Sequence, residues 1–324
     1  MSSEPYALVI GEALIDIVES AGESSEIPGG SPANVALTMS RLGHPSLLHT
    51  CLGVDSRGRA IEQHLGASGV KLTESSFAAP RTSTALAKIG PTGAADYVFD
   101  VDWSPAPLPE LKGAPTLVHT GSIAAVLSPG AQLVEQTLSS LREVATITYD
   151  PNARPQLMGN AATARRTVER LVSLADLVKV SDEDLEWLLG TPMESVEQVE
   201  AAARTWLDLG PALVIVTRGK HGAVAVSCSG DCVSVPAGAD VKVVDTVGAG
   251  DSFMGGLNSA LWREGLLGAE RREALRQATQ EQLVAIVQRA AAVANITVSR
   301  AGANPPTQAE LDAALAAQSG VADV

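Results

Sequence analysis

The chain has 324 residues, 45% hydrophobic and only 3% aromatic, with a formal net charge of −14. That length and apolar content suit one α/β domain spanning 1–324 with a small β appendage. The acidity and the scarcity of aromatics disfavour nucleic acid, so any phosphate must be held locally by helix ends, a few cations and metal ions. Cys51, Cys228 and Cys232 are too few and odd in number for a disulfide framework, which points to a reducing cytoplasm. Cys228 and Cys232 lack a second pair or a nearby histidine, so zinc is not expected. The start Met1-Ser2-Ser3-Glu4 has no basic stretch, and no run of about 18 apolar residues occurs, so neither export nor a membrane is expected.

In chain order, Ala7–Ile10 reads as a strand and Leu14–Val18 continues extended. Ser31 and Pro32 suit a helix start, and Gly43 ends that helix. Leu47–Leu52 reads as a strand and Ser56–Leu65 as a helix. Thr84–Ile89 and Tyr97–Val101 flank the turn Gly90-Pro91-Thr92-Gly93, a hairpin outside the main sheet. Strands at Thr116–Gly121, Ala145–Asp150, Leu177–Val180 and Ala212–Thr217 then alternate with helices at Ser128–Leu141, Ala161–Ala175, Ser181–Leu189 and Ser195–Leu209. This alternation predicts a doubly wound, mostly parallel sheet with helices on both faces. Ala223–Ser227 and Cys232–Val235 read as a late antiparallel hairpin. Long helices follow at about 250–264 and 270–297. Thr307 and Glu310 form a capping box for a last helix to about Ala317, with Ser319–Val324 frayed. The appendage is assigned to about 11–30 and 80–103.

Residues 244–256, Val-Asp-Thr-Val-Gly-Ala-Gly-Asp-Ser-Phe-Met-Gly-Gly, carry the most chemistry. An apolar run, a small-residue turn at Gly248–Gly250 and a helix start at Asp251 aim backbone N–H groups and a helix's positive end at one spot. A carboxylate there repels a resting phosphate. It suits a base that takes a proton from a hydroxyl attacking that phosphate. Upstream, Gly29 and Gly30 fit either a tight turn with a helix cap or a close backbone approach to a ligand, where Asn34 can donate and accept toward a hydroxyl. Asp16 on its apolar strand lies either on a solvated face or aimed at a ligand, as vicinal-diol readers are. Arg154 follows one strand end, where open α/β sheets bind ligands. Lys179, Ser181 and Asp184 follow a second, and Thr217 and Gly219 a third. Ser181 and Asp184 fit either a plain helix cap or a water-mediated handle on magnesium. The five histidines show no metal spacing and are read as structural. Neither a P-loop nor a strand running into G-x-G-x-x-G occurs, which disfavours P-loop NTPases and dinucleotide oxidoreductases.

Four segments together resemble the ribokinase-like, or PfkB, carbohydrate kinases: the early GGSPANVA, Gly53-Val54-Asp55 with Gly58, the late DTVGAGDSFMGG, and Ser299-Arg300-Ala301-Gly302-Ala303. The resemblance implies a ribokinase-like fold and ATP-dependent phosphorylation of a sugar or nucleoside hydroxyl. It implies Asp251 as base, and Gly248, Ala249 and Gly250 as anion hole. It implies Asp16, Gly30 and Asn34 on the sugar, with Tyr97 or Phe99 reaching it from a closing lid. Thr217, Gly219 and Asn295 fall at nucleotide positions, and Lys179 and Ser181 are counted with them. Asp245, with Val247 and the 297–302 backbone that includes Arg300 and Gly302, matches a monovalent-cation loop. Magnesium and potassium are the expected ions, and a homodimer through the lid is the expected assembly. The family often carries Asn and Glu where this chain has Ser181 and Asp184. GGSPANVA and DPNxR look most like fructokinases. Ser31 stands where ribokinases and kinases of phosphorylated fructose often carry lysine, so a neutral sugar is expected, most of all fructose. Kinases of 2-keto-3-deoxygluconate, ribose or a nucleoside are the alternatives, and a non-catalytic sugar or nucleotide sensor is less favoured.

Overall fold

A parallel strand covered on both faces must be apolar at every position, and β1 (Ala7–Ile10) meets that rule with all four residues fully buried. The computed structural model describes residues 4–20, 23–89, 95–238 and 241–321. Within them β2 (Leu14–Ser20), β3 (Glu23–Gly29), β4 (Ser46–His49), β5 (Lys71–Leu72), β6 (Thr84–Ile89) and β7 (Ala95–Asp100) follow β1. Then come β8 (Leu117–Gly121), β9 (Thr146–Asp150), β10 (Leu177–Ser181), β11 (Leu213–Thr217), β12 (Ala223–Ser227) and β13 (Cys232–Val235). Nine strands form one sheet in the order β13-β12-β11-β10-β9-β8-β1-β4-β5. It is parallel from β11 to β5 and antiparallel at β12 and β13.

Helices cover both faces. Val118, Ile147, Val178 and Val214 pack with Val134 and Leu138 (helix Gly130–Leu141), Val168 (Ala161–Val172), Leu185 (Asp182–Leu189) and Trp206 (Val196–Leu207). Their strand neighbours Leu117, Leu177 and Leu213 point the other way. They meet Met39 (Ser31–Arg41), Met254 and Leu257 (Ala249–Arg263) and Ile286 (Gln280–Val298). A small second sheet, ordered β3-β2-β6-β7, stands beside the main one. Ile15 roots it in an apolar cluster with Leu37, Leu48, Ile61 and Leu65. Exposed ion pairs Arg57–Glu26 and Arg81–Asp100 tie its β3 and β7 to neighbouring segments.

The parallel register brings the C-terminal ends of β8 to β11 level, with Gly121 beside Asp150 and Ser181 beside Thr217. Two readings change, and one strand is added within the appendage. The stretch 270–297 is two helices, Arg272–Arg276 and Gln280–Val298, because Thr279 and Gln282 form a capping box that starts the second. Glu23–Gly29 is a full strand despite its serines and glutamates, held by its pairing with β2. The last helix runs on to Val321. The turn Gly90–Gly93 and residues 322–324 lie outside the described residues.

Candidate active site

Two helix starts meet above the strand ends. Helix Ser31–Arg41 begins with Pro32 in its first turn and helix Ala249–Arg263 follows Gly248, whose φ of 74° is left-handed. Only a glycine fits there easily, since a Cβ at Gly248 would also lie 2.6 Å from that of Ala303. The two helices approach closely because position 255 is glycine: a Cβ there would lie 2.5 Å from Thr38 Cβ. This approach carries Asp251 to the first helix. Ser31 Oγ donates to its Oδ1 at 2.7 Å, and Asn34 Nδ2 donates to its Oδ2 at 2.8 Å. Asn152 Nδ2 adds a longer contact to Oδ1 at 3.3 Å. Asp251 is buried yet lies in the first turn of its helix, whose leading N–H groups have no intrahelical acceptors. Of the three residues expected to form the anion hole, Ala249 already spends its N–H on Thr246 O at 3.2 Å.

The small sheet supplies Asp16. A Cβ at Gly29 would fall on its Oδ2, and one at Gly30 (φ 107°) would lie 2.6 Å from Glu12 O. Both glycines are therefore required by close approach. Burial pushes the Asp16 carboxyl up to about 6; the Arg154 guanidinium opposes the shift and the Asp251 charge adds to it. Arg154 and Asp251 thus both act on Asp16. Arg154 Nη1 donates to Asn152 Oδ1 at 2.8 Å and to Ala153 O at 2.9 Å. Phe99 shares a sheet face with Asp16, since Asp16 pairs with Ala85 and Ala85 with Phe99. Tyr97 pairs with Ala87 on the same strand, and its side chain lies outside the described residues.

The remaining expected positions fall in three places. Lys179 is buried and paired with Asp150 at 2.9 Å, their side chains 4% and 0% exposed. Burial alone would lower the Lys179 pKa, but Asp150 outweighs it and keeps the ammonium charged. Its Nζ lies 3.0 Å from where a Cβ of Gly250 would stand, directly beneath the helix start. Ser181 caps its helix by accepting from Asp184 N at 3.0 Å, and Asp184 Oδ1 accepts from Ala153 N at 3.1 Å. Thr217 ends β11 and Gly219 opens an exposed turn beside it. Asn295 faces Gly238 across the segment after β13, where a Cβ would strike its Nδ2. Asp245 takes Val247 N at 3.0 Å and Gly302 N at 2.8 Å, closing the loop before Gly248. The Arg300 side chain turns away to Glu310 at 2.7 Å.

Sequence reasoning passed over Glu12 and gave Asn152 no role. Glu12 is buried two residues before β2, and Ala124 N donates to its Oε2 at 3.1 Å. Burial drives its carboxyl up to about 7, against hydrogen bonds from Ser122 and Ala124 and the charge of Arg154. The signal existed: like Asp16, Glu12 is a lone carboxylate in an apolar run. Asn152 lay inside the motif that yielded Arg154. Among the described residues no group of three or more His, Cys, Asp or Glu could hold a metal ion. None of their helices is long and apolar enough to cross a membrane.

A family model described as "pfkB family carbohydrate kinase" matches residues 5–310. A fructokinase from Rhizobium leguminosarum bv. trifolii is 34% identical over 272 residues, which is 80% of this chain and 81% of that one. A double mutant of Vibrio cholerae O395 fructokinase, solved with fructose, ADP and potassium ion bound, superposes with a TM-score of 0.78. It is 28% identical and covers 97% of this chain and 99% of its own. Aminoimidazole riboside kinase from Salmonella enterica, complexed with its riboside and an ATP analogue, gives a TM-score of 0.74 at 26% identity. The match covers 96% of this chain and 99% of that one.

Proposed function

Because the chain belongs to the pfkB family of carbohydrate kinases and is a sugar kinase, we propose that it phosphorylates a primary hydroxyl of fructose with ATP. The observation that carries the reading is Asp251. It is a buried carboxylate in the first turn of a glycine-led helix, bridged to the start of the helix that follows Gly29 and Gly30. The sugar lies between Asp16, Asn34 and Arg154, with Asp16 accepting from its hydroxyls. Asp251 takes the proton of the primary hydroxyl as that oxygen bonds to the γ-phosphorus. The bond from phosphorus to the β–γ bridging oxygen breaks, and its electron pair leaves on ADP. Free N–H groups around Gly248 and Gly250 face the charge that develops on the phosphoryl oxygens.

Thr217, Gly219, Ser181 and Asn295 hold the nucleotide. Lys179 acts from below, as a buried positive charge under the helix start. Asp184 would hold magnesium through water, as its oxygen donors suit that ion, and magnesium bound with the nucleotide would supply neutralisation of phosphate charge. Asp245, Val247 and the 297–302 backbone fit a monovalent cation, since the carboxylate keeps lone pairs beyond its two N–H contacts. The small sheet closes over the sugar as a lid, and two copies meet through it.

ADP release with Mg-ATP and potassium tests this across fructose, ribose, 2-keto-3-deoxygluconate, adenosine and fructose 6-phosphate. Turnover greatest on fructose supports the reading, and greater turnover on another member replaces the substrate. Asp251→Asn should lose at least about a thousandfold in kcat while still binding ATP. Turnover like the parent's would remove Asp251 as base. The similarity to a riboside kinase is the reason adenosine and ribose stand in the panel.

A further inference from the structure

Three donors reach Asp251, two on Oδ1 and one on Oδ2, and they differ in kind. Ser31 and Asn34 come from one helix and make contacts of 2.7 and 2.8 Å. Asn152 comes from the loop after β9 and makes the longest contact, 3.3 Å. Its backbone has φ 36°, and it is one of two non-glycine residues with positive φ among the described residues. Its own N–H donates to Asp150 Oδ1 at 3.2 Å. Its amide oxygen accepts from Arg154 Nη1 at 2.8 Å. With a cation on one side and a carboxylate on the other, the amide has a single favourable orientation: oxygen to Arg154, nitrogen to Asp251. Arg154, Asn152 and Asp251 therefore form a continuous polar chain from the sugar contact to the base.

We propose that Asn152 is a positioning residue, which aims Asp251 Oδ1 at the sugar hydroxyl and couples that aim to Arg154. This rests on the reading of Asp251 as base. The coupling has a direct physical route. When Arg154 engages sugar oxygens it draws on the same amide that holds Oδ1. The 3.3 Å contact is the weakest of the three and yields first to an incoming hydroxyl, while Ser31 and Asn34 keep the carboxylate in place. The competing explanation is that asparagine is present only because it tolerates a left-handed backbone.

Glycine separates the two, because it accepts that backbone and carries no amide. Asn152→Gly should lower kcat about tenfold, with KM for fructose within about twofold and an unchanged thermal midpoint. Asn152→Asp keeps the Arg154 contact but puts an acceptor against Asp251, so kcat should fall further, about a hundredfold. A Gly variant with the parent's kcat, a loss confined to KM, or a loss that tracks the thermal midpoint overturns the proposal. Asp251→Asn is measured alongside. If it is inactive while Asn152→Gly matches the parent, the positioning role alone fails. If Asp251→Asn is active, the base assignment fails.

Discussion

Lys179 and Asp150 show what a single buried charge is worth at this site. Removing one partner of a buried pair leaves the other charged and unpaired, at a cost of about 3–5 kcal/mol. Lys179→Met should therefore lower the urea midpoint strongly, and kcat with it, since the ammonium lies under the helix start at Gly250. Restoring stability by adding Asp150→Asn would identify the stranded carboxylate as the cause. As the proposed sugar contact, Asp16 should set a pH limit. Its carboxyl is pushed up to about 6, so it gains a proton as the pH falls through 6 and no longer accepts paired hydroxyl donors. kcat/KM for the sugar should fall below pH 6, and a flat profile from pH 5 to 7 would refute the assignment. Glu12 acts on stability with the opposite slope. Folded, it keeps its proton to about 7, against 4.5 in an ordinary carboxyl. Between those values the native state binds more protons, and stability is lost as pH rises through the window. Glu12→Gln should flatten that loss in urea titrations at pH 5 and 7. Ser31 was legible only in part. Its uncharged nature was plain, but its hydroxyl points to Asp251 rather than to a sugar, and no spacing rule foretells a contact across 220 residues.

The helix Ala249–Arg263 shows how an element fixes such contacts. Its consecutive glycines face different neighbours: Gly255 meets Thr38, while a Cβ at Gly256 would lie 2.9 Å from Ala290 Cα and 3.2 Å from Val293 Cβ. The helix is wedged between two others with no room for a methyl on either side. Gly256→Ala gains about 1 kcal/mol of helix propensity. Forcing a methyl against backbone costs about 1–3 kcal/mol, and a Cα cannot swing aside as a side chain can. The cost wins, so the thermal midpoint should fall by a few degrees, and a rise would show that the packing relaxes freely. The element itself was legible from DTVGAGDSFMGG, because the turn and the helix start are local. The break at Thr279 was also written in the sequence, as Thr279 with Gln282, but the apolar period running through 270–297 hid it. Strand β3 was not legible, since serine and glutamate carry little strand signal and its partner β2 supplies the ladder.

At the scale of the molecule, the alternation of strands and helices from residue 116 made the doubly wound sheet readable, because parallel strands need crossover helices. The order of its strands was not readable, since order is settled by which faces pack. The small sheet carries the remaining question of assembly. Its register places Ile27, Ala85 and Phe99 on the face that bears Asp16. Ile27 is 45% exposed there, an apolar side chain on the same side as the proposed sugar contact. A second copy laid across this face would cover it and stiffen the proposed lid in one step. The expected result is a light-scattering mass twice that of one chain, reduced to one by Ile27→Glu. That variant should also raise KM for the sugar by several-fold, because Asp16 and Ile27 are paired residues of one ladder and a free lid holds Asp16 less firmly. Loss of the dimer with KM unchanged would leave the interface in place but separate it from sugar binding. A monomeric parent chain at micromolar concentration would remove the interface altogether.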